Sequence, residues 1–72
     1  MGTGMSTKKV FVGGIGILTN SALTEYFSRF GLVTDVKSKY LSHSIITFED
    51  MSAAMEVIRV KTHVINGKKV SI

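Results

Sequence analysis

Two segments with the apolar spacing of amphipathic helices constrain this chain most, because each must bury one stripe of side chains. In the first segment the apolar residues recur at i, i+3, i+4 and i+7, at Leu23, Tyr26, Phe27 and Phe30. This spacing predicts a helix over residues 20–30. Thr19 or Asn20 is suited to the N-cap, and Gly31 follows where a helix end often needs positive φ.

The second segment has the same spacing, at Met51, Ala54, Met55 and Ile58. It predicts a helix over residues 51–59, and we expect these four side chains to face the core. Asp50 stands directly before the segment and is a favourable N-cap residue.

The remaining segments have the period of two that is typical of strands. A strand within residues 8–15 stops at the pair Gly13-Gly14, and two others are predicted over residues 32–39 and 43–48. The first of these two needs a bulge if Val33 and Val36 are both to point inward. Asn66-Gly67 indicates a tight hairpin turn that leads into a last strand, 68–72.

The predicted order βαββαβ favours an α+β, ferredoxin-like sandwich. We expect a four-stranded antiparallel sheet with both helices packed on one face, because a single sheet face can bury both apolar stripes. The other face of the sheet is then left open to solvent.

Strand alternation predicts which side chains point to this open face: Lys9, Phe11, Lys37, Lys39, His43, Ile45, Thr47, Lys69 and Ser71. Four of the nine basic residues of the chain are among them, whereas none of the five acidic residues is expected there. Asp35 is placed near the bulge. An aromatic ring surrounded by positive charge suits a single-stranded nucleic acid, whose bases stack on rings and whose phosphates attract lysines.

Composition limits the chain to one small domain. Its 72 residues have 44% hydrophobic content, a net charge of +4 and no cysteine, so neither a disulfide nor a thiolate metal site can form. No apolar run approaches the ~18 residues of a membrane span, and we expect an intracellular protein, nuclear or cytoplasmic, without a membrane partner. Residues 1–6 are interpreted as a leader, either an expression scar or a disordered segment, and residues 7–72 as the domain.

Several of these segments resemble sequence motifs of a known protein family. Val10-Phe11-Val12-Gly13-Gly14-Ile15 resembles the RNP2 hexamer of RNA-recognition motifs (RRMs) of the hnRNP A/B, Musashi and DAZ-associated type. The first helix through Gly31, the segment Phe48-Glu49-Asp50 and the hairpin 66–70 are similar to the same family. The short link between the second and third strands is more like the second RRM of the TAR DNA-binding protein. The resemblance extends over residues 8–72 and implies an RRM that binds RNA through its sheet.

This chain departs from the pattern of the family's other motif, the RNP1 octamer. Residues 41–48 stand at its positions, and His43 and Ile45 occupy two places where the family has stacking rings. Since a stacked base is worth roughly 1–3 kcal/mol, their loss removes about 2–6 kcal/mol of binding free energy. The resemblance therefore implies weak or auxiliary binding of single-stranded RNA, or of single-stranded DNA, by Lys9, Phe11, Lys37, Lys39, His43, Ile45 and Lys69.

One other function remains open for the same residues. Phe11 and Ile45 would form an apolar patch that could bind a protein or a second copy of the chain. Catalysis is disfavoured, because the loop Gly13-Gly14-Ile15-Gly16 offers no lysine or arginine to a phosphate. Neither histidine has a carboxylate or cysteine at ligand spacing, so we expect no metal, no cofactor and no enzyme, with His63 as a solvated surface residue.

Overall fold

The computed structural model describes residues 8–39, 41–60 and 62–72, so the leader expected at residues 1–6 lies outside the described part. The elements in chain order are β1 (Lys9–Gly13), α1 (Asn20–Phe27), β2 (Val33–Lys39), β3 (His43–Phe48), α2 (Met51–Val60), β4 (Thr62–Ile65) and β5 (Lys68–Ser71). The strands pair antiparallel in the order β2-β3-β1-β5-β4. The predicted α+β architecture is confirmed, but the sheet has five strands rather than four, because Thr62–Ile65 pairs with β5.

Both helices pack on one face of the sheet, which we call the inner face. α1 contacts β2 and β4, and α2 contacts β1 and β3. Val10, Val12 and Ile46 of the central strands lie fully buried in one cluster with Leu23 and Phe27 of α1. The inner face and the two helices therefore form a single core.

Helix α1 begins where its sequence predicts and ends one turn earlier. The Thr19 hydroxyl accepts a hydrogen bond from the Ala22 N–H at 3.0 Å and so caps the helix. After Phe27 the chain continues in tighter i→i+3 turns as far as Phe30, whose N–H donates to the Phe27 carbonyl at 3.0 Å. The aromatic stripe still faces inward, with Leu23 and Phe27 fully buried.

Helix α2 faces the core with a different side than its sequence predicts, because the buried positions are shifted by about one residue along the helix. Its buried residues are Ala53, Ala54 and Val57, so of the four expected inward side chains only Ala54 is in the core, and Met51, Met55 and Ile58 are exposed. The cause is a close approach between the helix and the segment that follows α1. A Cβ added to Gly31 would lie 2.6 Å from the Ala53 Cβ, and Gly31 itself does not have positive φ. Gly31 is therefore glycine because α2 packs against it, and not because a helix end requires it.

The connections of the sheet explain its register. A bulge between Val33 and Asp35 lets both Val33 and Val36 pack against the core, as predicted. The β2–β3 connection closes with a hydrogen bond from the Ser42 N–H to the Lys39 carbonyl at 2.9 Å. Leu41 adopts the left-handed conformation there, with φ of 62°, although glycine is the usual residue for it. The predicted Asn66-Gly67 turn is present, with φ of 51° and 81°.

His63 is buried, so the expectation of a solvated surface residue is wrong. It lies on β4 with its side chain turned inward and only 3% exposed. Nε2 donates to the Val57 carbonyl oxygen at 3.1 Å, and Nδ1 accepts from the Tyr26 hydroxyl at 2.7 Å. The ring also lies edge-on to Phe30, with centroids 5.4 Å apart. His63 therefore links α1, α2 and the edge strand, and an isolated histidine in the sequence gives no sign of these partners.

The two histidines of the chain allow a matched test of this burial. We expect His63→Ala to lower the free energy of unfolding by about 2–4 kcal/mol, because it leaves a cavity and an unpaired carbonyl oxygen at Val57. His43→Ala, at an exposed position, should change it by less than about 0.5 kcal/mol. Urea unfolding followed by circular dichroism measures both. Equal effects of the two substitutions would contradict the packing described for His63.

Candidate nucleic-acid interface

The face of the sheet opposite the helices, which we call the outer face, is open to solvent. Its character is clearest on β1, where Val10 and Val12 are buried and Phe11 between them is 63% exposed. A phenylalanine side chain this exposed at the centre of a sheet loses most of the free energy that burial would provide. No helix or loop covers the ring in the described part of the chain.

The strand register arranges the outer face in rows, because directly paired residues of antiparallel strands point to the same side. The first row is Asp35, Thr47 and Lys9; the second is Lys37, Ile45 and Phe11; the third is Lys39, His43, Gly13, Ser71 and Thr62. A further pair, Val64 and Lys69, lies beyond the third row on β4 and β5. All seven residues predicted for the site thus belong to one surface.

The middle row is the apolar centre of this surface. Phe11 stands beside the half-buried Ile45, and the exposed Lys37 flanks Ile45 on the other side. The Cβ atoms of directly opposed residues lie about 5 Å apart, so Phe11 and Ile45 are immediate neighbours and the lysine amine can reach a group bound above them. The row therefore offers one flat ring, one aliphatic wall and one positive charge.

The third row provides polar groups. The His43 ring is exposed, and its Nδ1 lies 3.1 Å from the Ser42 hydroxyl oxygen. Lys39 is opposite His43 on β2, and Gly13 is opposite it on β1. The imidazole thus stands between a lysine and a position that has no side chain.

The charge of the outer face is uneven, which corrects one expectation. Asp35 is exposed and pairs with Thr47, so it lies on the outer face, in the same row as Lys9 and about 10 Å from it. The face is therefore not free of acidic residues. The remaining positive charge lies mostly away from this row, with Lys37 in the middle row, Lys39 in the third and Lys69 beyond it. Asp35 was missed because the spacing of Val33 and Val36 does not show which residue between them is bulged.

Ion pairing on the molecule is found away from this surface. The one salt bridge among the described residues joins Glu56 and Arg59 on the exposed side of α2. The hydrogen bond from the Arg59 guanidinium lowers the pKa of the Glu56 carboxyl, with a smaller contribution from its charge. The lysines of the outer face form no such pair within the described ranges.

Sequence reasoning missed the outer positions of the extra edge strand. Val64 is 58% exposed there, and Thr62 ends the third row. The alternation of Ile65 inward and Val64 outward could have shown this, had residues 62–65 been recognised as a full strand.

No cluster of three or more histidine, cysteine, aspartate or glutamate side chains lies close enough to hold a metal ion in the described ranges. Within those same ranges, none of the helices is both long and apolar enough to cross a membrane.

Comparison with known proteins identifies the fold. No family model matches the sequence. DAZ-associated protein 1 of Xenopus laevis is 38% identical over 92% of this chain, and heterogeneous nuclear ribonucleoprotein D-like of Rattus norvegicus is 34% identical over 88%. The chain spans only 21% and 22% of the length of these two relatives. A solved structure of the RNA-binding domain of Hrp1 in complex with RNA superposes with a TM-score of 0.79 and 30% identity, over 92% of this chain and 44% of that one.

This chain is an RNA-recognition motif. The RNP2 segment of the RRM is β1, and its ring Phe11 lies exposed on the outer face. The segment predicted to stand at the RNP1 positions is β3 with the turn before it, and its outward residues are His43, Ile45 and Thr47. The RRM has one phenylalanine, Phe11, on the outer face, and its other three phenylalanines pack at the core.

Neighbouring residues on β1 test this two-faced arrangement. We expect Phe11→Ala to lower the free energy of unfolding by less than about 1 kcal/mol, because the ring is mostly in water. Val12→Ala, one residue later, should cost about 1.5–3 kcal/mol because it empties part of the core. Urea unfolding of the two variants measures the difference. A larger loss for Phe11→Ala than for Val12→Ala would mean that the ring is enclosed.

Proposed function

We propose that this RRM binds single-stranded RNA through its outer face as a weak or auxiliary module. The observation that carries the proposal is the exposed Phe11 ring in the middle of a surface whose charge comes mainly from lysines. A nucleobase stacks on the ring, and Lys9, Lys37, Lys39 and Lys69 neutralise phosphates. His43 provides a second, smaller platform for a base.

The relatives support the choice of ligand. One of them is named as a heterogeneous nuclear ribonucleoprotein and another as an RNA-binding domain in complex with RNA, and they cover 88% and 92% of this chain. By the same reasoning we propose an intracellular setting, nuclear or cytoplasmic. Single-stranded DNA offers the same bases and phosphates and is a second ligand of the proposed site.

Weak binding is part of the proposal because only one phenylalanine is on the outer face. Ile45 stands beside Phe11 without a π-system, and the His43 ring is smaller than a phenylalanine ring. The two missing rings correspond to roughly 2–6 kcal/mol, or about thirty-fold to twenty-thousand-fold in affinity. Histidine still stacks, so we expect the lower part of this range.

A second function is favoured by the apolar character of the same surface. Phe11 and Ile45 could form the centre of a contact with a protein or with a second copy of this chain. Such a contact would depend on apolar area rather than on the lysines, so it would respond weakly to salt.

Fluorescence anisotropy with a labelled random-sequence octaribonucleotide distinguishes these functions. We expect affinity to fall steeply as salt rises, and Phe11→Ala to weaken binding by roughly five-fold to 150-fold through the lost stacking. Lys37→Gln should reduce the slope of log affinity against log salt by about one. Met55→Ala is the matched control, since Met55 is similarly exposed but lies on α2.

These measurements distinguish RNA binding from self-association. Absence of binding at low salt, together with a molar mass that rises with concentration in light scattering, would exclude RNA binding and favour self-association. An equally labelled DNA octamer shows whether the site accepts both nucleic acids.

A further inference from the structure

Gly13 occupies the middle of the third row of the outer face, where nothing in the fold requires a glycine. Its φ is outside the left-handed region, in contrast to Gly14 and Gly16, which follow it in the loop. A Cβ added to Gly13 would lie 3.8 Å from the Ser71 carbonyl oxygen and 3.9 Å from the Ser71 hydroxyl oxygen, which are ordinary contacts. Glycine weakens a strand, so its presence here needs another reason.

The surroundings of Gly13 supply that reason. His43 is paired with it on one side and Ser71 on the other, so their Cα atoms are about 10 Å apart with only backbone between them. Both neighbours are exposed. A glycine inside a strand often marks a place where a ligand approaches the backbone closely. The sheet thus has a shallow, open depression with an imidazole on one wall and a hydroxyl on the other.

The chemistry of these walls fits a nucleobase. The imidazole can stack on a base or hydrogen-bond to it, and the serine hydroxyl both donates and accepts. Unstacked bases of single-stranded RNA are recognised by this combination of stacking and hydrogen bonds to their edges. Lys39, opposite His43 on β2, is placed to meet the phosphate of the same nucleotide.

The depression is also correctly placed relative to Phe11. The two positions are two residues apart on β1, or about 7 Å, and point to the same side. One base can therefore stack on Phe11 while a neighbouring base of the same strand occupies the depression. Ile45 faces Phe11 in its own row and does not border Gly13.

We propose that Gly13 is the floor of a second base subsite, in which an unstacked nucleobase of the bound strand lies between His43 and Ser71. The proposal rests on the proposed RNA-binding function. It adds Gly13, which contributes to binding because it has no side chain. The subsite replaces part of the stacking that the missing rings no longer provide. It also makes binding depend on which base stands next to the one on Phe11.

Substitutions of graded size at Gly13 test the subsite. We expect Gly13→Val to weaken binding of a labelled octaribonucleotide by at least about five-fold and Gly13→Ala by less, because the added side chain fills the depression. The dependence of affinity on salt should stay as in the wild type, since no phosphate contact is lost. The urea midpoint of Gly13→Ala should stay the same or rise, which shows that the effect on binding does not come from unfolding. Ser21→Val, on the exposed side of α1, is the control for a valine added elsewhere.

A cycle with abasic RNA identifies the group that occupies the subsite. The oligomers have one fixed sequence, and each lacks one base. At one position, loss of the base should weaken binding to the wild type but not to Gly13→Val. If Gly13→Val binds as tightly as the wild type while Phe11→Ala is weakened, the subsite is wrong and the proposed function stands. If neither substitution changes binding, both are wrong. If Gly13→Val weakens binding equally for every abasic oligomer, no base lies over Gly13 and the proposal is overturned.

Discussion

The apolar stripes of α1 and α2 are buried against the same face of the sheet, where Leu23, Phe27 and Val57 meet the inward side chains of the central strands. Burial of apolar surface is the main favourable contribution to folding, and a chain of 72 residues has only enough of it for one core. One-sided burial therefore leaves the other face of the sheet without a partner. This uncovered side is the outer face, and it carries the exposed ring of Phe11, the lysines around it and the depression at Gly13.

The uncovered face is organised by register rather than by proximity in sequence. Antiparallel pairing brings β1, β2 and β3 together so that a lysine, an isoleucine and a phenylalanine stand side by side in one row. The neighbouring row has a histidine, a glycine and a serine in corresponding places. Asp35 lies at one end of the face, and most of the positive charge lies away from that end. A bound strand that passes over Phe11 and Gly13 would run away from Asp35.

Local periodicity was sufficient to predict much of this architecture. It was insufficient where contacts between residues distant in sequence determine the structure. The bulge in β2, the register of β3 and the Asn66-Gly67 turn follow from patterns within a few residues, and the structure has all three. The orientation of α2 does not, because two overlapping stripes have helical spacing and the contact of Ala53 with Gly31, 22 positions earlier in the sequence, selects between them. The burial of His63 likewise depends on Tyr26, 37 residues away. The seven predicted site residues lie on one face because strand alternation is a local property, whereas Asp35 was missed because the spacing of Val33 and Val36 does not show which residue between them is bulged.

Titration of the ¹⁵N-labelled domain with a short single-stranded RNA, followed by amide chemical shifts, tests most directly whether the uncovered face is the binding surface. We predict that the shifts concentrate on β1, β3 and the end of β2 that has Lys37 and Lys39, and that the amides of Met55 and Ile58 on α2 stay unchanged. Shifts confined to the helices, or no shifts at low salt, would contradict it.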